Sequence, residues 1–195
     1  MIDTIKINRL AELISNASRT AIVTHMKPDG DAMGSSLAMY RFLRENTSAD
    51  VRIVLNDRYP ANLAFMTAPE EASGILVCNE DADAAAGWIT GADLIICLDF
   101  NAFHRTENLE RPLLEAKGTK VLIDHHLSPS LQHFALAFST QEISSASELV
   151  FHILKAMPQC GGDPSKLPLK AAEALMTGMT TDTNNFANST YPSTF

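Results

Sequence analysis

Residues 20–40 read TAIVTHMKPDGDAMGSSLAMY and predict a strand, a loop and a helix in succession. The apolar run at 20–24 predicts the strand, Pro28 and Gly30 predict the loop, and 31–43 predicts the helix. His25, Asp29 and Asp31 lie on the loop in the spacing H-x-x-x-D-x-D. One imidazole and two carboxylates form a mixed nitrogen and oxygen ligand set, which suits divalent metals of intermediate softness.

Three further groups of acidic or imidazole side chains follow in chain order: Asp99, then Asp124-His125-His126, then Asp182. The first two come directly after continuous apolar runs at 94–98 and 121–123, as expected of parallel strands that are covered on both faces. Open α/β sheets bind ligands at the carboxyl ends of their strands. Taken singly, each acidic residue is more often a turn former or a helix cap. Their occurrence together predicts a metal site.

Strands and helices alternate along the rest of the chain. Further strands are predicted at 51–55, 75–77 and 134–138, and further helices at 10–17, 60–66, 147–157 and 169–179. This alternation predicts an α/β fold with a Rossmann-like parallel sheet and helices on both faces. A length of 195 residues favours one domain over 1–195.

Composition excludes several classes of protein. A net charge of −8 argues against binding long duplex nucleic acid, because such binding neutralises many phosphates with basic side chains. No apolar run reaches the roughly 20 residues that span a bilayer, so no membrane partner is expected. Residues 1–6 lack the pattern of a secretory signal, and the three cysteines are unclustered. We expect a cytoplasmic protein.

The motifs resemble those of the DHH phosphoesterase superfamily, which is named for the triplet seen here as Asp124-His125-His126. That superfamily includes RecJ-type exonucleases, family II pyrophosphatases, exopolyphosphatases and nanoRNase/pAp phosphatases. The segment at 144–148, SSASE, and Thr181-Asp182-Thr183 followed by Phe186 look most like the nanoRNase/pAp branch. That branch often carries T-D-T-G-x-F, and Asn184 stands here in place of the glycine.

The resemblance implies a site of two divalent cations. It assigns His25 and Asp29 to the first ion, Asp31 and His125 to the second, and Asp99 and Asp182 to both. It also implies that Asp124 orients an imidazole from behind, that His126 acts at the phosphate or the leaving group, and that Arg105 clamps a phosphate. Mn²⁺ is the expected ion, and Mg²⁺, Zn²⁺ and Co²⁺ remain open.

The implied function is a phosphohydrolase that acts on short oligoribonucleotides and on 3′-phosphorylated nucleotides such as pAp. Three alternatives stay open: an inorganic pyrophosphatase or exopolyphosphatase, a cyclic-dinucleotide phosphodiesterase, and a non-catalytic metal-binding or regulatory domain. The G-G-G-H motif of the family's C-terminal DHHA1 domain does not occur in the 195 residues. We therefore expect a catalytic domain without the usual substrate-holding domain, and a homodimer is compatible with the sequence.

Overall fold

The computed structural model describes residues 3–194 and contains a six-stranded sheet in the order β3-β2-β1-β4-β5-β6. Every neighbouring pair of strands is parallel. The strands are β1 (Arg19–Val23), β2 (Asp50–Leu55), β3 (Ile75–Val77), β4 (Leu94–Leu98), β5 (Thr119–Asp124) and β6 (Leu136–Ser139). The order reverses between β1 and β4, which creates the crevice where doubly wound sheets bind ligands. The predicted α/β, Rossmann-like fold is confirmed.

Six α-helices cover the two faces of the sheet. They are α1 (Thr4–Asn16), α2 (Gly30–Asn46), α3 (Ala82–Thr90), α4 (Glu110–Glu115), α5 (Ala146–Ala156) and α6 (Leu169–Asp182). Alternate strand residues point to opposite faces. Ile22 and Ile96 therefore pack in the core beneath α1, α2, α5 and α6, whereas Val23 and Cys97 pack in the core beneath α3 and α4.

Several predicted elements have different bounds in the structure. The predicted helix at 60–66 is a 3₁₀ helix, Ala61–Met66, and the predicted strand at 134–138 is the edge strand Leu136–Ser139. Helix α1 begins six residues before the predicted start, where Asp3 caps it by accepting a bond from the Ile5 N–H. Helices α3 and α4 have no counterpart among the predicted elements.

Close approach between α2 and α6 requires glycine on both helices. A Cβ at Gly34 would lie 2.9 Å from the Cα of Gly178 and 2.6 Å from the carbonyl oxygen of Ala174. The absence of a side chain at Gly34 therefore permits the contact with α6, and this contact holds the last turn of α6 beside the first turn of α2.

Within residues 3–194, no helix combines the length and the apolar character that crossing a bilayer requires.

Candidate metal centre

The candidate site lies at the carboxyl edge of the sheet, over the point where the strand order reverses. His25 follows β1, Asp99 follows β4, and His125 follows β5. Asp29 caps the N-terminus of α2, where its Oδ1 accepts bonds from the N–H groups of Asp31 and Ala32. The two loop carboxylates are thus held by the start of the same helix.

The first group of side chains consists of His25, Asp29 and Asp99. The Nε2 atom of His25 lies 3.5 Å from Oδ2 of Asp99 and 3.8 Å from Oδ1 of Asp29. His25 Nδ1 is 2.7 Å from the carbonyl oxygen of Met26. Because that carbonyl can only accept, Nδ1 carries the hydrogen, and Nε2 is directed at the two carboxylates.

The second group consists of Asp31, His125 and Asp182. The Nε2 atom of His125 lies 3.8 Å from Oδ2 of Asp31, 3.7 Å from Oδ2 of Asp182 and 3.4 Å from Oδ1 of Asp99. Asp182 is the last residue of α6, three residues beyond the predicted end of that helix. The close packing of α2 and α6 brings Asp182 to this position.

Asp99 joins the two groups, since its two oxygens face the two imidazoles. The residue is 2% exposed, and its Oδ1 has no hydrogen-bond partner among the residues that the structure describes. Its φ of 63° lies in the left-handed region, where a non-glycine residue is strained. Backbone strain of this kind clusters at functional sites.

The separations in both groups fit ligands that share an ion. Values of 3.4–3.8 Å are longer than a good N–H···O hydrogen bond, which spans about 2.7–3.2 Å. Two ligands that each lie about 2.1 Å from one ion are themselves about 3–3.5 Å apart. Mixed imidazole and carboxylate donors also suit divalent cations. The side chains present therefore fit such ions.

The electrostatics of the cluster reflect an excess of buried carboxylates. Burial lowers the pKa of His25, but Asp99 outweighs burial and raises this pKa to about 9. His125 behaves in the same way, with its pKa raised to about 9 by Asp99, Asp31 and Asp182 against the effect of burial. Burial and the charge of Asp99 raise the pKa of Asp31 well above its usual range. For Asp99 itself, burial raises the pKa, but the two imidazoles outweigh burial and hold it below the usual value.

Helix α5 holds the buried carboxylate of Asp31 from behind. Oδ2 accepts a bond of 2.6 Å from the Ala146 N–H, and Oδ1 accepts one of 2.8 Å from the Ser147 N–H. These two N–H groups lie in the first turn of α5, where backbone donors have no partner within the helix. The helix N-terminus therefore favours the negative charge of Asp31. Ser145 caps the helix by accepting a bond from the Glu148 N–H. The SSASE segment thus forms an anchor for Asp31, a role that the sequence analysis did not assign to it.

Asp124 bonds the imidazole of His126. Oδ1 of the fully buried Asp124 lies 2.7 Å from Nδ1 of His126. This leaves Nε2 of His126, on a side chain that is 34% exposed, free to meet a ligand. The adjacent His125 faces Asp31, Asp99 and Asp182, and His126 shares only Asp99 with it, at 3.8 Å from Nδ1, so that Asp99, His125 and His126 form a third group of close ligand atoms. The neighbouring histidines therefore have different surroundings.

Arg105 lies beside the loop between His25 and Asp29, where its carbonyl oxygen accepts a bond of 2.8 Å from the Met26 N–H. Its Nε is buried without a hydrogen-bond partner in the described part of the chain. Ser35 and Ser36 are fully buried and donate to backbone carbonyls of α2. His104 is exposed.

The turn after α6 accounts for the asparagines at the position of the branch's glycine. Asn184 has a φ of 49° and Asn185 a φ of 57°, both in the left-handed region that glycine enters most easily. Asparagine tolerates this region better than most other residues. The departure from T-D-T-G-x-F thus preserves a left-handed turn after Asp182.

Two characterised relatives resemble the chain along most of its length. Cyclic-di-AMP phosphodiesterase PdeA of Listeria monocytogenes serotype 1/2a (strain 10403S) is 27% identical over 189 residues, which are 95% of this chain and 28% of PdeA. Bifunctional oligoribonuclease and PAP phosphatase NrnA of Bacillus subtilis (strain 168) is 28% identical over 165 residues, which are 83% of this chain and 45% of NrnA. The chain thus spans less than half of either protein.

Solved structures show the same architecture. An exopolyphosphatase-related protein from Bacteroides fragilis superposes with a TM-score of 0.87 at 35% identity, covering 97% of this chain and 53% of that one. Exonuclease RecJ bound to manganese superposes with a TM-score of 0.56 at 19% identity, covering 93% of this chain and 44% of that one. The likeness to RecJ concerns the fold alone.

The pattern of the DHH family, N-terminal domain, matches residues 19–179, a span that begins with β1 and ends three residues before Asp182. That span contains His25, Asp29, Asp31, Asp99 and the Asp124-His125-His126 triplet. The chain therefore belongs to the DHH family.

Proposed function

We propose that this chain is the catalytic domain of a two-metal phosphohydrolase. The observation that carries the proposal is the placement of Asp99, whose carboxylate lies between His25 and His125 with one oxygen toward each. A carboxylate in that position is suited to bridging two ions. The membership of the chain in the DHH family supports the same reading.

In this proposal His25, Asp29 and Asp99 hold one divalent cation, and Asp31, His125 and Asp182 hold the other, with Asp99 common to both. This sharpens the ligand set implied by the motifs, because Asp182 lies with the second group. When bound, the two cations would polarise the phosphate and lower the pKa of a water molecule toward neutrality, which supplies the nucleophile. Mn²⁺ is the proposed ion, and the RecJ structure with manganese supports that choice by analogy of fold.

His126 is placed to act on the substrate rather than on an ion. Its Nδ1–H donates to Asp124, and a buried carboxylate at that nitrogen fixes the orientation and the tautomer of the ring. Nε2 can then donate to a phosphate oxygen or pass a proton to the leaving group. Such general acid catalysis typically contributes about 10²–10⁴-fold in rate.

Arg105 is the proposed phosphate clamp. A half-buried guanidinium with an unsatisfied Nε retains donors that an anion can occupy. We expect Arg105→Ala to raise KM for phosphorylated substrates by about 10–100-fold, the effect of losing a charged hydrogen bond, and to leave the number of bound ions unchanged. Arg105→Lys keeps the charge but not the forked donors of the guanidinium, so its KM should lie between those of the wild type and Arg105→Ala.

The proposed substrates are short oligoribonucleotides and pAp, as for NrnA. A second candidate is cyclic di-AMP, because PdeA matches a larger share of this chain than NrnA does. All three substrates present a phosphoester attached to adenosine or another nucleoside, so the same metal centre could serve each of them. The choice between them rests on residues that hold the nucleoside.

A substrate panel tests the proposal. Initial rates would be measured on bis-p-nitrophenyl phosphate, pAp, a linear diadenylate, cyclic di-AMP and pyrophosphate, with Mn²⁺ and after chelation. We expect hydrolysis that depends on Mn²⁺, fastest among the natural substrates on pAp and the diadenylate. His126→Ala should lose turnover, and His104→Ala, which alters an exposed histidine outside the cluster, should not.

Fastest turnover of cyclic di-AMP would favour the second candidate. Two bound ions without hydrolysis of any substrate would favour a metal-binding module and refute the proposal.

A further inference from the structure

One peptide group of the loop after His25 connects this imidazole to a carboxylate that follows β2. The carbonyl of Met26 accepts a bond of 2.7 Å from His25 Nδ1. The N–H on the other side of the same peptide belongs to Lys27 and donates to Oδ2 of Asp57 at 2.8 Å. Asp57 therefore lies two hydrogen bonds from the imidazole ring, with a single planar peptide group between them.

This peptide depends on support from outside the loop. Lys27 has a φ of 50°, a left-handed conformation that a lysine seldom adopts without tertiary constraint. In the described residues, Asp57 is the only side chain beyond the loop that bonds a backbone group of residues 26–28. Its hydrogen bond fixes the plane of the peptide and hence the direction of the Met26 carbonyl.

Asp57 is itself held firmly. Its Oδ2 also accepts a bond of 2.9 Å from Nδ2 of Asn56, and its Oδ1 accepts one of 2.8 Å from Nδ2 of Asn79. Asn56 is fully buried. Its Nδ2 also donates to the carboxylate of Glu107, and its Oδ1 accepts a bond from the N–H of Asn108. The carboxylate thus sits in a network that joins the ends of β2 and β3 to the segment after β4.

The arrangement resembles the usual support of a metal-binding histidine with one peptide inserted. Such a histidine donates its free ring N–H to a carboxylate or a carbonyl, which fixes the tautomer and increases the basicity of the coordinating nitrogen. Here the Met26 carbonyl accepts the hydrogen bond from the ring N–H. The negative charge of Asp57 polarises that carbonyl through the Lys27 N–H of the same peptide group. Hydrogen bonds in such a chain strengthen one another.

We infer that Asp57 is a positioning residue for the first cation, acting on His25 through the Met26–Lys27 peptide. The inference rests on the proposed metal centre and adds to it a residue that follows β2, outside the ligand groups. Neutralising Asp57 should weaken the ion held by His25, Asp29 and Asp99. The ion held by Asp31, His125 and Asp182 should be unaffected, because Asp57 has no bond to that group.

The test uses the whole chain and measures metal binding rather than activity. Mn²⁺ would be titrated by calorimetry into the wild type, Asp57→Ala and Asp57→Asn, and the spin-coupled Mn²⁺ pair would be followed by electron paramagnetic resonance. Asp57→Ala should lower the affinity for one of the two ions by about 10–100-fold, the usual effect of losing a hydrogen-bond partner behind a metal ligand. Its coupled signal should be lost at Mn²⁺ concentrations that saturate the wild type. Asp57→Asn keeps an oxygen for Lys27 without the charge, so its loss should be smaller.

Asp81→Ala is the matched control. Asp81 also follows a strand, and its carboxylate also accepts a backbone N–H, that of Ala84 at the start of α3. The Asp81→Ala variant removes the same charge and a comparable hydrogen bond, but far from the loop. Both ions should therefore bind to it as they do to the wild type.

Unchanged affinity for both ions in Asp57→Ala, or equal weakening in Asp81→Ala, would overturn the inference. If Asp57→Ala fails to fold, Asp57→Asn decides, with weakening of one ion in support and wild-type affinity against. A wild type that binds no ion would instead refute the proposed function itself.

Discussion

Asp99 directs Oδ1 at Nε2 of His125 over 3.4 Å, and neither atom has a hydrogen-bonded partner within the described residues. The left-handed backbone of Asp99 turns the side chain toward the crevice directly after β4. The relationship places an unsatisfied carboxylate oxygen and a ring nitrogen around a common point. It motivates the first prediction.

Asp99→Asn should remove metal pairing and activity together. A bridging ligand serves both ions, so loss of its charge should release at least one of them and reduce hydrolysis by more than about 100-fold, beyond the effect of losing an outer support. Asparagine tolerates the φ of 63°, so the backbone should persist. Elemental analysis and rates on bis-p-nitrophenyl phosphate check this. Two full-occupancy ions in an anomalous-scattering map of the variant would contradict the bridging role.

His125→Ala and His126→Ala should differ although the residues are adjacent. His125 faces Asp31, Asp99 and Asp182, so its loss should release the second ion. His126 is bonded to Asp124, so its loss should keep both ions and reduce kcat by about 10²–10⁴-fold. Metal content and kcat measured on both variants decide the point. Equal metal loss in the two would refute the division of roles.

Gly178→Ala should destabilise the protein and disturb the second ion. A Cβ there would overlap the Ser147 hydroxyl and lie 3.0 Å from Oδ1 of Asp31. Overpacking of this kind costs about 1–3 kcal/mol. Gly87→Ala is the control, since a Cβ at Gly87 on α3 meets nothing within 4 Å and should add about 0.5–1 kcal/mol. Urea unfolding of both variants measures the two effects, and a neutral Gly178→Ala would contradict the packing described.

The stabilising contribution of the Glu148 carboxylate should be lost at low pH. Burial raises its pKa, but the nearby imidazole of His152 and hydrogen bonds from Ser144 and Thr194 outweigh burial and lower the pKa to about 2. Because the folded pKa lies below the unfolded one, the folded state binds fewer protons, and the stabilisation is complete above about pH 4.5. It is lost as the pH falls toward 2, by on the order of 2–3 kcal/mol for this side chain, which is 2% exposed.

Urea unfolding of the wild type and Glu148→Gln at several pH values measures this contribution. The difference in free energy of unfolding between the two should shrink as the pH falls from 5 toward 2. A difference that does not vary with pH would show that Glu148 is not the group responsible.

Much of the site could be predicted because strand ends collect at one edge. Apolar runs located β1, β4 and β5, and parallel pairing then brings His25, Asp99 and His125 together whatever the loops do. Asp29 and Asp31 were within reach because they follow His25 closely in the sequence, as the N-cap and in the first turn of α2. The positions of these candidate ligands thus follow from the local sequence pattern together with the parallel order of the strands.

The remaining features depend on contacts between distant parts of the chain. Asp31 is bonded to α5 across 115 residues, and Asp57 belongs to a network that reaches Asn79 and Glu107. Helix α3, ADAAAGWIT, has a run of alanines that gives little contrast between a buried and an exposed face. Helix α6 continues through two threonines to Asp182, against their helix propensity, where Thr181 packs on Gly30.

The most direct test of the account is the location of bound ions. Crystals grown with Mn²⁺ would be measured at the manganese absorption edge. The account predicts two anomalous peaks over the carboxyl edge of β1, β4 and β5, one contacting His25, Asp29 and Asp99, and the other contacting Asp31, His125 and Asp182, with Asp99 touching both. A single peak, or peaks that leave Asp99 without contact to either ion, would contradict it.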